Sequence, residues 1–203
     1  AGIFGIFTFV TYSLWLIVIS IVSACLTEAA IQALRGRRVA IGDGSAALTG
    51  LLLAYNLPAG VPFWIPVAGS FFAIAIAKQA FGGLGRNIFN PALAGRVFLL
   101  LSWPGHMTEF VKPFSQADAV TSATPLVLFK ESGLSLPDMG LTYVDLFLGR
   151  RGGCIGEVAI FALLLGAAFL LILKIISWHI PLTYILTLGI FSWLFSPQGI
   201  AQG

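Results

Sequence analysis

Ser13-Leu14-Trp15-Leu16-Ile17-Val18-Ile19-Ser20-Ile21-Val22-Ser23-Ala24-Cys25-Leu26-Thr27-Glu28 lies inside an apolar run from Gly5 to Leu34, interrupted by small and hydroxyl residues and by one charge, Glu28. A run of this kind exceeds the ~18 apolar residues that suggest a spanning helix. At ~1.5 Å per residue it reaches roughly 45 Å, enough to cross a bilayer and protrude. The whole chain follows suit: of its 203 residues 58% are hydrophobic and 9% charged, with a mean hydropathy of +0.97. Soluble domains are about a quarter charged. The expected fold is therefore an all-α polytopic membrane protein, a single membrane domain over residues 1–203. Continuous rather than alternating hydrophobicity argues against a transmembrane β-barrel.

The formal net charge is only +3, and no basic run suggests nucleic acid. Arg35, Arg37 and Arg38 follow the first span directly and read as a topology anchor on the cytoplasmic side. Cys25 and Cys154 both fall in apolar stretches far apart, so they read as packing residues rather than a disulfide framework or zinc site. His106 and His179 stand apart from other ligand types and read as interfacial residues, not metal ligands. The chain opens Ala1-Gly2-Ile3-Phe4 without a basic leader, unlike a signal peptide.

Two shorter segments resemble one another. Ala47-Leu48-Thr49-Gly50 and Ala92-Leu93-Ala94-Gly95 each open an apolar run closed by proline, at Pro58 and Pro104. Each is too short to span comfortably, and paired short segments interrupted by Gly and Pro are how discontinuous, half-spanning helices look in sequence. Asn90-Pro91 supplies an N-cap and a first helical residue, so a helix is predicted to start there. Its free N–H groups and dipole would form a polar site in an apolar setting. Arg96 is then either a buried cation needing a partner or one that snorkels to the interface. Phe63–Ala80, Ile155–Ile176 and Pro181–Phe195 are the remaining expected spans. Glu28 is open to two readings: a half-solvated interfacial carboxylate pairing with Arg35, or an ion or proton ligand.

Residues 104–153 form the longest polar segment, with Glu109, Asp118, Glu131, Asp138 and Asp145 against Lys112, Lys130, Arg150 and Arg151. If both short segments count as crossings, Arg35, Lys78, Arg86 and Lys174 share the cytoplasmic side, and residues 104–153 form an extracytoplasmic loop, in agreement with the positive-inside rule.

Within that loop, Asp118-Ala119-Val120-Thr121-Ser122-Ala123-Thr124 resembles the flavin attachment motif D-x-x-[S/T]-x-A-T. The motif belongs to a family containing the D subunit of the Rnf electron-transport complex and the B subunit of the sodium-translocating NADH:quinone reductase. Phe81-Gly82-Gly83-Leu84-Gly85-Arg86-Asn87, with Phe89-Asn90-Pro91-Ala92-Leu93, is similar to a segment both of these proteins share. Ser45–Leu57 and Ser177–Leu182 look more like the Rnf member, whereas Asp145–Gly149 and Ile155–Glu157 look more like the quinone reductase member.

The resemblance implies FMN covalently attached to Thr124 as a phosphoester, with Asp118, Ser122 and Ala123 completing the attachment motif. It also implies a non-covalent riboflavin near Asn87 and Asn90, and places Glu28 where the quinone reductase member carries an acid implicated in sodium uptake. The implied architecture is urea-channel-like, in the cell inner membrane, and the sequence lacks that family's terminal helices. The implied role is that of one component of an ion-translocating oxidoreductase, a redox-driven Na+/H+ pump of ferredoxin:NAD+ type, not catalytic alone. Implied partners are an extracytoplasmic flavoprotein subunit, iron-sulfur subunits, and a flavin transferase for maturation. Small residues around Thr124 suit a transferase's active site, and Pro125 keeps Thr124 extended. The rival is a urea- or ammonium-type solute channel or secondary transporter without redox cofactor, which explains the short helices but leaves the threonine motif idle.

Overall fold

The computed structural model describes residues 2–36, 38–111, 121–122, 142–149 and 151–195. It is mostly helical. Helix α1 covers Gly2–Leu34, and its Tyr12–Leu34 portion is, among the described residues, the one helix long and apolar enough to cross a membrane. A 3-10 turn at Ile41–Asp43 leads into α2, Ser45–Tyr55. Helix α3 runs Trp64–Phe72 and continues as a π-helix over Ala73–Gln79. Helices α4 (Pro91–Ser102) and α5 (Pro104–Thr108) follow. Two short strands, β1 (Phe110–Val111) and β2 (Thr121–Ser122), pair antiparallel. Helices α6 (Tyr143–Leu148), α7 (Ile160–Ile172) and α8 (His179–Phe195) complete the described chain.

The core is a hairpin, α2–α3, laid along α1 with α4 packed on its far side. Close approach depends on glycine. A Cβ at Gly50 would lie 2.6 Å from the Ser20 carbonyl oxygen and 2.8 Å from Ile21 Cα, so α2 meets α1 backbone to backbone. Gly95 does the same for α4, where a Cβ would lie 2.9 Å from the Gly69 carbonyl oxygen on α3. The two related sequence segments thus share a physical role: each uses its glycine at a helix crossing. Small residues at such crossings let dispersion and hydrogen bonds act where lipid offers no hydrophobic gradient. Ser20 and Ser70 exploit the closeness: Ser20 Oγ lies 2.8 Å from the Gly50 carbonyl and 3.1 Å from Ser70 Oγ. Leu16, Leu53, Ile65 and Leu99 fill the space between, all fully buried.

Helix α2 covers roughly 16 Å at ~1.5 Å per residue, about half of a ~30 Å hydrocarbon core. Its last carbonyls would be orphaned, yet partners are supplied. Ile155 N donates to the Leu57 carbonyl at 3.0 Å and Gly156 N to the Tyr55 carbonyl at 2.9 Å, with a bridge between Pro58 and Cys154. The expected span from Ile155 is corrected accordingly. Ile155–Ala159 is non-helical because its N–H groups serve the end of α2, and α7 begins only at Ile160. Helix α4 begins at Pro91 as the sequence predicts, with Asn90 Oδ1 accepting from Ala92 N at 3.0 Å and Leu93 N at 3.5 Å.

Candidate functional site

The described polar chemistry gathers at two ends of the α2–α3 hairpin. At one end Glu28 is 2% exposed and surrounded by donors. Lys78 Nζ donates to Oε2 at 2.8 Å, Gln79 Nε2 to Oε1 at 2.7 Å and Gln32 Nε2 to Oε1 at 3.2 Å. Lys78, also 2% exposed, donates onward to Ser45 Oγ at 2.6 Å. Ser45 in turn donates from Oγ and from its backbone N to Asp43 Oδ1, at 2.8 and 2.9 Å. A continuous chain therefore links a buried carboxylate to an exposed one through an ammonium and a hydroxyl. Asp43 lies outside the spanning segments, and the two Ser45 hydrogen bonds hold its carboxyl below the usual carboxylate range.

Two features of the local fold position this cluster. Gln32 follows Glu28 by one helical turn, so both share a face of α1; Gln32 Oε1 is itself fixed by Ala40 N at 2.7 Å. Lys78 and Gln79 are neighbours in sequence, yet both reach Glu28. The π-helix over Ala73–Gln79 widens the turn and lets consecutive side chains converge. Such π segments occur mostly as single-turn bulges inside α-helices, frequently at functional sites. Arg35 Nη1 caps the arrangement from the other side, donating to the Gln79 carbonyl at 2.6 Å.

Of the two readings of Glu28, the half-solvated interfacial carboxylate paired with Arg35 is the one corrected. Arg35 binds a π-helix carbonyl, and Lys78, contributed by α3's continuation, neutralises the carboxylate inside the protein. Lys78, Gln79, Gln32 and Ser45 escape the sequence reading. The available signal is a Lys-Gln pair interrupting the apolar run Phe71–Ala80, with a glutamine four residues after the buried acid.

The other end is the turn between α2 and α3. Tyr12 Oη donates to the Val61 carbonyl at 2.9 Å, and its ring stacks on Phe63 at 4.6 Å. Trp64, Trp103 and His106 meet edge to face beside it. The strand ladder also sits here: a Cβ on Gly60 would lie 2.6 Å from Val111 Cγ2, and Val111 pairs with Thr121, Phe110 with Ser122. Ser122 of the attachment motif is therefore tied by its backbone to the turn end. Asp118, Ala123 and Thr124 lie outside the described residues. Between Tyr12 and Glu28, α1 rises roughly 24 Å, which separates the two ends.

Asn87 and Asn90 precede α4. Asn90 is exposed and gives its Oδ1 to the helix cap, so what it can offer a ligand is its amide N–H2. Asn87 Nδ2 lies 3.5 Å from the Phe89 carbonyl, while its Oδ1 is buried with no hydrogen-bond partner among the described residues. An orphaned buried acceptor calls for a donor. A flavin's pyrimidine edge carries an N–H, so the residues present fit that group. Arg96 finds the Cys154 thiol, Nη1 to Sγ at 3.2 Å, a half-buried cation on a weak acceptor rather than one snorkelling free.

Comparison with known proteins identifies the family. The NQR2, RnfD, RnfE family matches residues 1–202. The chain is 50% identical over 200 residues to the D subunit of the Na(+)-translocating ferredoxin:NAD(+) oxidoreductase complex of Acetobacterium woodii, covering 97% of this chain and 61% of that protein. It is 45% identical over 210 residues to the D subunit of the proton-translocating ferredoxin:NAD(+) oxidoreductase complex of Clostridium ljungdahlii, covering 100% and 63%. The D subunit of an ion-translocating oxidoreductase complex from Salmonella paratyphi A is 37% identical over 229 residues, covering 94% and 64%. The chain thus spans rather less than two thirds of the length of these relatives. On a match along essentially its whole length, the chain belongs to the NQR2, RnfD, RnfE family, where its likeness is to the D subunits of such complexes.

Proposed function

We propose that the chain is a membrane subunit of an Rnf-type redox-driven Na+/H+ pump, working as part of a ferredoxin:NAD+ oxidoreductase complex in the cell inner membrane. Electrons are relayed through FMN joined to Thr124 by a phosphoester, and their flow is coupled to ion translocation. The observation that carries this reading is the attachment motif, Asp118 to Thr124, in a chain matched to the family over residues 1–202. The flavin supplies the electron-carrying chemistry when bound. The chain's own residues hold it and provide a charged path. Ser122 anchors the motif to the turn end through the ladder with Phe110; Asn87 and Asn90 offer an acceptor and a donor to a non-covalent riboflavin; Glu28 offers a carboxylate to the ion.

The motif segment is extracytoplasmic in this reading, where it meets a partner flavoprotein subunit and a flavin transferase; iron-sulfur subunits supply the clusters that two cysteines cannot hold. The short α2 and α4 act as discontinuous helices in a urea-channel-like architecture, their free ends satisfied by protein as an apolar setting requires. The relatives' names divide between sodium and protons, so the proposal keeps both ions.

In-gel flavin fluorescence after denaturing electrophoresis tests it, with the flavin transferase co-expressed. A fluorescent band that disappears in Thr124→Val is expected. A colourless wild-type band sinks the redox reading and favours the solute channel.

A further inference from the structure

Lys78 stands between two carboxylates. Its Nζ is 2.8 Å from Glu28 Oε2 on the buried side and 2.6 Å from Ser45 Oγ, which is 2.8 Å from Asp43 Oδ1 on the exposed side. The ammonium therefore occupies a seat lined by hard oxygens, those of Glu28 and Ser45, within a protein core. Oxygen donors of this kind suit hard cations.

We propose that Lys78 is a tethered stand-in for the transported cation: a sodium ion takes the Glu28 seat as the Lys78 ammonium moves along Ser45 to Asp43. The proposal rests on the ion-translocating half of the function above and deepens it by naming the group that leaves when the ion enters.

Charge balances at each stage. Before the exchange, Glu28 is neutralised by Lys78 and Asp43 by solvent counterions. Afterwards sodium neutralises Glu28, and Lys78 neutralises Asp43. Neither carboxylate changes protonation, and no buried charge is left alone, the condition that makes buried ions tolerable. The path is already built. Ser45 Oγ donates to Asp43 and accepts from Lys78, so the ammonium slides from one acceptor to the next without leaving hydrogen-bonded company. A long four-carbon stem with three rotatable donors suits such a swing, where the rigid fork of arginine does not.

The test uses the assembled complex, with 22Na+ as probe and choline as the inert replacement. Lys78→Gln vacates the seat and is expected to bind 22Na+ several-fold more tightly than wild type, which must first displace its own ammonium; the Glu28→Gln, Lys78→Gln double variant is expected to lose that ion. An unchanged 22Na+ affinity in Lys78→Gln overturns the proposal, including the outcome in which Glu28 takes a proton instead. Should the variant fail to assemble, wild-type complex decides. Sodium, but not choline, is expected to raise acylation of Lys78 by an amine reagent several-fold, read by mass spectrometry. Equal labelling in the two salts overturns the proposal. The covalent flavin band is scored in every sample. Fluorescence retained with no sodium effect condemns the exchange alone; a wild-type band without fluorescence condemns the redox reading instead.

Discussion

Lys78 Nζ and Glu28 Oε2 lie 2.8 Å apart with both side chains 2% exposed, a buried ion pair joining α1 to the π-helix that extends α3. Removing one partner leaves an uncompensated buried charge, which costs about 3–5 kcal/mol, whereas replacing both by apolar residues of similar volume is far less costly. In sodium-free buffer, Glu28→Leu and Lys78→Met are each expected to lower the melting temperature of the purified complex strongly, and the double variant to recover most of the loss. A double-mutant cycle in detergent measures the coupling; additive losses would show the pair to be energetically idle.

Gly50→Ala tests the crossing of α2 on α1. The new methyl would sit 2.6 Å from the Ser20 carbonyl oxygen and 2.8 Å from Ile21 Cα, both backbone atoms that cannot turn aside. Overpacking of this kind costs about 1–3 kcal/mol. Gly42→Ala is the control, since nothing lies within 4 Å of a Cβ there. Thermal unfolding of the two variants should separate clearly, with Gly42→Ala close to wild type.

Much of this is readable from residue order alone. The Asn90-Pro91 start of α4 follows from local capping chemistry, which needs no tertiary knowledge, and the Gly-and-Pro-bounded short helices follow from their length. The partner of Glu28 is not readable, because Lys78 is fifty positions away and its pairing depends on a π-helix that no period of 3.6 announces. Nor is the fate of Ile155–Ala159: continuous hydrophobicity reads as span, while the demand of α2's terminal carbonyls for donors is a tertiary fact. The attachment motif is legible as chemistry, though Thr121 and Ser122 in the ladder are the part of it the structure describes.

Asn90 carries two proposed duties that substitution can part. Asn90→Ser keeps an N-cap oxygen but removes the amide, so it should leave the melting temperature near wild type and lower extractable riboflavin. Asn90→Ala removes both, costing about 1 kcal/mol of stability as well. Asn87→Ala should release riboflavin with little effect on melting, because it deletes an orphaned acceptor. Riboflavin content unchanged in all three variants would rule out the site.

Asp43 gives a pH signature. Its carboxyl is held below the usual range by the hydrogen bonds from Ser45, so the folded state binds the proton less readily than the unfolded one. The resulting stabilisation is present above the unfolded pKa, near ~3.9, and is lost as pH falls through the depressed folded value. Asp43→Asn should therefore melt below wild type at neutral pH, with the gap closing in acid. A melting-temperature series from neutral to strongly acidic pH checks this; a gap that stays constant would mean that the charge of Asp43 makes no contribution.

Gly156 is where the end of α2 is made safe in an apolar setting. Its N–H donates to the Tyr55 carbonyl at 2.9 Å, and a Cβ there would lie 2.6 Å from Tyr55 Cβ and 3.0 Å from that same carbonyl oxygen. Gly156→Ala must push the segment away from α2, lengthening its own hydrogen bond and, through the adjoining backbone, the one from Ile155 N to the Leu57 carbonyl. A buried carbonyl left without a donor costs about 1–3 kcal/mol, and two are at stake. Hydrogen exchange on the assembled complex should show faster exchange at Ile155 and Gly156, together with a lowered melting temperature. The Glu28 cluster lies at the far end of α1, so exchange at Gln79 and Ala40 should stay as in wild type. Loss of protection at both ends would show that the hairpin unfolds as one unit rather than opening at its turn.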